Sequence, residues 1–444
     1  MKKLLLTSCA IAVAASAVPV EAKPRKNAPP PPAPVVRVAP TDPVELYYFQ
    51  HGEAPIWFRS DATRAAAQRL SAILRRSPID GFTAGPALAA QVDAAIASAV
   101  PGNVAATRAA ELTLSKAWVA FMQHLRTPPQ GMVYGYDLLR PHHRVDKILL
   151  TTAAGGDNLA ATIDRLADVN SIYRSLREAA LASGMTQADA ALLSNLERAR
   201  VLPASGRFAV VDSGSAMLTM FENGQPVDRM RVVVGTSQTP TPMIASIIHY
   251  AVLNPYWEVP PSLTQRIVAP GVLRGGQAYI NRNGYEVMSD WTVNATVVPN
   301  SQVNWAALAR NAGNVRVRQR PGPLNSLAGM KLPFPSGQDI FLHDTLDRSK
   351  FALANRHLSN GCVRLEDAQR FLRWLHGSTP APTSKDPNVL VKLPQGVPIY
   401  LTYLTQEAGS DGRLAARSDP YGWDGRPDRQ LAAATYTSPT RGAP

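Results

Sequence analysis

Cysteine is nearly absent from this chain, with two in 444 residues. One of them, Cys9, falls in an N-terminal stretch that reads as an export signal, so Cys362 is the only thiol expected in the mature protein. An exported chain with one thiol has no disulfide framework, and Cys362 is either a reactive group or an inert core residue. Long apolar runs are lacking too. Beyond residues 4–18 no segment matches the roughly 20 apolar residues of a membrane span, and a soluble mature protein is expected. Acidic residues are in deficit, 33 against 46 Lys and Arg, for a net charge of +13. That balance favours an anionic partner. Nucleic acid suits an exported protein poorly, and no zinc-finger spacing or RNA-binding motif supports it. Peripheral association with an anionic wall polymer or a membrane surface through basic charge fits better. Neither a cofactor nor a metal is implied: His124 and the adjacent His142 and His143 have no third ligand beside them and read as surface or core residues.

The chain divides by texture. Met1-Lys2-Lys3, the apolar run and Val20-Glu21-Ala22 form a signal peptide over residues 1–22 with cleavage before Lys23; an uncleaved membrane anchor is the alternative. Leu6-Thr7-Ser8-Cys9 resembles a lipoprotein box, but too few apolar residues precede it. Residues 23–43 hold an unbroken row of prolines at 29–32 and form a semi-rigid spacer. Residues 44–200 are alanine-rich and helical: Leu114, Trp118, Phe121 and Leu125 line one helix face, and Ile163, Leu166, Tyr173, Leu176 and Ala180 line a later one. Residues 201–405 are β-rich, with strands expected near 208–211, 216–221, 230–234, 249–253, 340–342 and 397–404, and a hairpin turn at Asn223-Gly224. Within them, about 260–323 is looser and reads as a functional insertion. Residues 406–444 form a polar C-terminal tail, disordered from 435 onward. The class is α+β, a helical domain followed by a β-rich one.

The chemistry points to Ser359-Asn360-Gly361-Cys362-Val363-Arg364. A thiol is a nucleophile when ionised, and a histidine, local N–H groups or a positive charge promote that. His343 follows a strand-like run and can take the proton. Gly361 lets the backbone bend so that N–H groups face a developing oxyanion. Arg364 shares an extended face with Cys362, where it favours thiolate or anchors a carboxylate.

These residues resemble the catalytic motif of the YkuD-type L,D-transpeptidases, in which a histidine precedes Ser-x-Gly-Cys-Val/Ile-Arg. The resemblance extends to Thr241-Pro242-Met243, to 254–261 (Asn-Pro-Tyr-Trp-Glu-Val-Pro-Pro), to 322–327 (Gly-Pro-Leu-Asn-Ser-Leu) and to 341–345 (Phe-Leu-His-Asp-Thr). These are marks of the larger YcbB-like branch, with a helical scaffold domain and a capping subdomain inserted in the catalytic domain. There is little room for the separate peptidoglycan-binding domain that some members carry. The resemblance implies a periplasmic enzyme that forms 3→3 cross-links between peptidoglycan stem peptides through a cysteine thioester, open to acylation by carbapenem-like β-lactams. It implies Cys362 as nucleophile, His343 as base and acid with its second ring nitrogen on a backbone carbonyl, and the N–H groups of Gly361 and Cys362 as the oxyanion hole. Ser359, Asn360 and Arg364 shape the pocket, and Trp257, Tyr256 and Phe341 belong to it; Phe341 stands where a tyrosine occurs in relatives. Three rival readings remain: a papain-like hydrolase, which has cysteine before histidine in the chain; a sortase, whose arginine lies further beyond the cysteine; and a non-catalytic wall-binding scaffold.

Overall fold

The computed structural model describes residues 38–311, 313–380 and 386–435. The expected signal peptide, the proline-rich spacer up to residue 37 and the disorder expected at 436–444 lie outside them.

The first half is helical: α1 Pro43–Gln50, α2 Asp61–Arg76, α3 Gly85–Ser98, α4 Val104–Leu125, α5 Val145–Ala153, α6 Leu159–Ala167, α7 Ser171–Ala182 and α8 Ala190–Ala199. The α4 stripe of Leu114, Trp118, Phe121 and Leu125 is buried at the centre of this core. Full burial of such side chains stabilises by about 1.5–3 kcal/mol each. The stripe from Ile163 to Ala180 belongs to two helices rather than one. Val169 takes φ +60 between α6 and α7, and Asn170 caps the second by accepting from the Tyr173 N–H at 2.9 Å. A break of two or three residues preserves the spacing, so periodicity alone hides it.

The second half is built on strands β1 Val133–Tyr134, β2 Phe208–Asp212, β3 Met217–Glu222, β4 Gln225–Gly235, β5 Ile244–Leu253, β6 Trp257–Val259, β7 Tyr285–Met288, β8 Val297–Val298, β9 Arg316–Gln319, β10 Met330–Pro333, β11 Phe341–His343, β12 His357–Ser359, β13 Val363–Leu365 and β14 Val389–Thr402. The path β5-β10-β11-β13-β4-β3-β2-β14 closes on itself, because β14 also pairs with β5. Asn223 (φ +53) and Gly224 (φ +74) join β3 to β4 in a two-residue turn with both φ positive, the geometry that matches strand twist. Helix α12, Ala368–His376, adds Phe371, Leu372 and Leu375 to this core. The architecture is α+β.

The insertion leaves the sheet after β5 and returns at β10, which pairs with β5, and the Asn254 N–H donates to Gly329 O at 3.0 Å across its base. It begins at Trp257 and is better ordered than its composition suggests. Strands run β6-β9-β7-β8, and α9 Pro261–Leu263 continues through a π turn, Thr264–Val268, into α10 Ala269–Arg282. With α11 Trp305–Ala309 they enclose a core of their own around Val259, Val287 and Val317.

Residues 406–435, expected as part of a polar tail, are folded. They carry β15 Gln406–Ala408, β16 Leu414–Ala416 and α13 Pro427–Thr435. The reason is a buried aromatic cluster: Tyr421 and Trp423 pack on Tyr403 with ring centroids 4.9 Å apart.

Candidate active site

Two short parallel strands place the key side chains. In β11 and β13, Leu342 faces Val363 and His343 faces Arg364, so Cys362, just before β13, lies beside Phe341. Side chains alternate along a strand, and Phe341, His343, Cys362 and Arg364 therefore share one face. That face opens on a cavity of about 290 Å³. Ser359, Asn360, Gly361 and Trp257 also line it, as do Leu263, Arg266 and Ile267 of the insertion and Ala433 of α13. Tyr256 is the exception among the expected residues. Its ring lies 4.0 Å from the Arg318 guanidinium carbon and is not part of the cavity wall. Tyr256 precedes β6, whose first residue, Trp257, lines the cavity.

The turn before Cys362 is fixed by hydrogen bonds. Ser359 Oγ donates to Cys362 O at 2.6 Å and accepts from the Gly361 N–H at 3.1 Å. That N–H points into the turn, which removes Gly361 as an oxyanion donor. Gly361 serves conformation instead. Its φ is +112, and an added Cβ would lie 3.0 Å from Ile340 Cδ1. Thr241 Oγ1 donates to Gly361 O at 2.7 Å and accepts from the Gly235 N–H at 2.9 Å. Arg266 Nη2 donates to Asn360 Oδ1 at 3.3 Å, which ties the insertion to the turn.

His343 is buried, with Nδ1 2.6 Å from Asp344 O. A carbonyl only accepts, so Nδ1 carries the proton and Nε2 keeps a free lone pair. The Asp344 carboxylate is engaged elsewhere, with Arg348 Nη2 at 2.6 Å. Burial, aided by the Arg364 charge, pulls the imidazole down to about 3. Cys362 is half-buried: its sulfur meets the cavity but is ringed by protein, and its thiol contacts Asp339 O at 3.7 Å. Burial pushes it up to about 11, against the opposing effects of the Phe341 N–H and Arg364. Arg364 thus favours thiolate, as its position suggests, but desolvation wins. At neutral pH the resting pair is a neutral thiol and a neutral imidazole. The Arg364 Nε is buried without a hydrogen-bond partner. Among the described residues no group of three or more His, Cys, Asp or Glu is placed to hold a metal ion.

Sequence reasoning missed the support behind the turn. Tyr421 Oη donates to Gly235 O at 2.9 Å and accepts from the Thr241 N–H at 3.3 Å. Its segment is held by Arg198 at the end of α8, which donates to Asp424 Oδ1 at 2.7 Å and to Trp423 O at 2.9 Å. The signal was present as two aromatics, Tyr421 and Trp423, in an otherwise polar stretch.

Residues 206–389 match the L,D-transpeptidase catalytic domain of the YkuD family, and residues 42–179 match the Scaffold domain. A Haemophilus influenzae protein named "Putative L,D-transpeptidase" is 26% identical over 325 residues, 69% of this chain and 64% of the relative, so the match spans less than two thirds of that protein. The motif, the strands that carry it and both domain matches agree: residues 206–389 carry a YkuD L,D-transpeptidase catalytic domain, with a helical Scaffold domain at 42–179 ahead of it.

Proposed function

We propose that this protein is a peptidoglycan L,D-transpeptidase that forms 3→3 cross-links through a thioester on Cys362. One observation carries the reading: Cys362, His343 and Arg364 share one strand face on a cavity partly walled by the insertion. The thiol turns from Asp339 O toward His343, whose Nε2 takes the proton as sulfur attacks the carbonyl carbon of the L-centre in the third residue of a tetrapeptide stem. The new C–S bond replaces the C–N bond to D-Ala, and His343 returns the proton to the departing amine. A neighbouring stem's amine then loses a proton to His343 and attacks the thioester. A C–N bond forms, the C–S bond breaks and the thiol regains its proton. With the Gly361 N–H committed to Ser359, the oxyanion falls to the Cys362 N–H. The free Nε of Arg364 suits a substrate carboxylate.

The same reading places the enzyme in the periplasm after export, held near the wall by its positive charge, and makes Cys362 a target for carbapenem acylation. The test is incubation with a disaccharide tetrapeptide, followed by mass spectrometry beside a Cys362→Ala control. Released D-Ala with a new dimer supports transfer, whereas tripeptide without dimer replaces it with hydrolysis. Absence of both products and of a carbapenem adduct would sink the enzymatic reading.

A further inference from the structure

A second cavity, of about 670 Å³, lies where the helical half meets the sheet. Gly224 and Gln225, at the head of β4, line it, while Gly235, at the foot of that strand, pairs with Ser359 of the Cys362 turn. Ten steps of about 3.3 Å separate the two ends by roughly 30 Å, so this crevice is distinct from the transfer site.

Four arginines from separate segments line it: Arg126 after α4, Arg165 on α6, Arg174 on α7 and Arg200 after α8. The one carboxylate in its wall, Asp168, is already shared, paired with Arg177 and 3.6 Å from Arg174 Nη1. Arg200 is 5% exposed. Its Nη1 donates to His124 O at 2.5 Å, but Nε and Nη2 have no hydrogen-bond partner. Nη2 forms an ion pair with Glu197 at 3.6 Å, too long for a hydrogen bond, and the Glu197 carboxylate is itself 41% exposed. Burial lowers Arg126 with no carboxylate opposing it. A strut between helices accounts for the Arg200 bond to His124 O. It does not account for two unsatisfied guanidinium nitrogens, nor for Arg126 and Arg165 on the same wall. Buried guanidinium N–H groups without hydrogen-bond acceptors are costly, and a guanidinium fork matches carboxylate and phosphate oxygens.

We propose that this crevice is a second ligand site, in which Arg126, Arg165, Arg174 and Arg200 hold an oxyanion group, a carboxylate or a phosphate. Two sources have that chemistry, the free carboxylates of a peptidoglycan stem and a phosphate compound. The proposal does not depend on transfer at Cys362.

Equilibrium binding to full-chain protein carrying Cys362→Ala, Arg364→Ala and Arg266→Ala removes turnover and both cations of the transfer cavity. The probes are a disaccharide tetrapeptide and inorganic pyrophosphate, each titrated alone. Arg126→Ala should weaken the observed binding about tenfold, the loss of one charge-assisted contact. Arg165→Glu with Arg174→Glu, both exposed and so compatible with folding, should weaken it further. Binding of the tetrapeptide alone that the crevice substitutions weaken identifies a stem carboxylate, binding of pyrophosphate alone that they weaken identifies phosphate, and either outcome supports the site. No binding of either probe, or equal affinity with and without the crevice substitutions, overturns it. D-Ala release by the unsubstituted enzyme is a separate measurement, so failure here leaves the transfer reading intact.

Discussion

Replacing His343 with alanine separates two ways of activating Cys362. One is a resting thiolate–imidazolium pair, in which histidine holds the negative sulfur. The other is a neutral pair, in which the proton moves only during attack. The structure favours the second, with the thiol pushed up to about 11 and the imidazole pulled down to about 3. A thiol ionises above its pKa, so a raised pKa moves the reactive form to higher pH. Four units below that value the thiolate fraction at pH 7 is about one in ten thousand. Alkylation by iodoacetamide should then rise about tenfold per pH unit from 7 to 10. A neutral histidine does not stabilise the thiolate, so His343→Ala should change alkylation at pH 7 by less than about threefold, while D-Ala release falls by about a hundredfold or more. Arg364→Gln acts in the other direction on the thiol. Its charge opposes burial, so its removal raises the thiol further and slows alkylation. A wild-type profile already flat above pH 7, together with a large loss of alkylation in His343→Ala, would refute the neutral pair.

Ser359→Ala removes both hydrogen bonds that shape the turn, worth about 2 kcal/mol together; D-Ala release should fall about thirtyfold with the circular dichroism spectrum unchanged, and wild-type turnover would deny the turn its role. Gly361→Ala forces an L residue to φ +112 against Ile340, a cost of about 1–3 kcal/mol that should lower the urea midpoint. Tyr421→Phe removes the hydroxyl shared by Gly235 and Thr241. About 1–3 kcal/mol is at stake, and kcat should drop more than KM rises; an unchanged kcat would mean that the C-terminal segment does not position the turn.

Much of the site was legible because its residues are close in sequence and strand periodicity assigns their face. His343 and Arg364 fall on two strands of three residues each, with Cys362 immediately before the second, and alternation puts all three on one side. What local pattern does not record is which hydrogen bonds a turn keeps for itself. Gly361 looks like an oxyanion donor in sequence, and only the Ser359 hydroxyl shows that its N–H is taken. Long-range support is equally invisible: Arg198 and Tyr421 lie 223 residues apart, and one segment links them to the turn. In the insertion, strands of two to four residues and a helix interrupted at Gly276 give no sustained period to read.

Burial of the thiol also bears on why the proposed reaction would end in transfer rather than hydrolysis. A permanently ionised sulfur needs a solvated or strongly positive setting, and solvent around the sulfur is also solvent around its thioester. Cys362 has the opposite setting. It faces a cavity bounded by Trp257, Leu263, Ile267 and Phe341, with Arg266 of the insertion hydrogen-bonded to Asn360 beside it. Excluding water raises the thiol and lowers the imidazole, which makes the first step depend on proton transfer during attack. In the proposed reaction the same wall would shield the acyl-enzyme until an amine on a bound stem displaces what water remains. On that proposal the raised thiol and a persistent thioester would be two consequences of one wall. Arg266→Ala, which loosens that wall at the catalytic turn, should shift products from dimer toward tripeptide without a matching loss of D-Ala release; an unchanged ratio of dimer to tripeptide would separate the two effects.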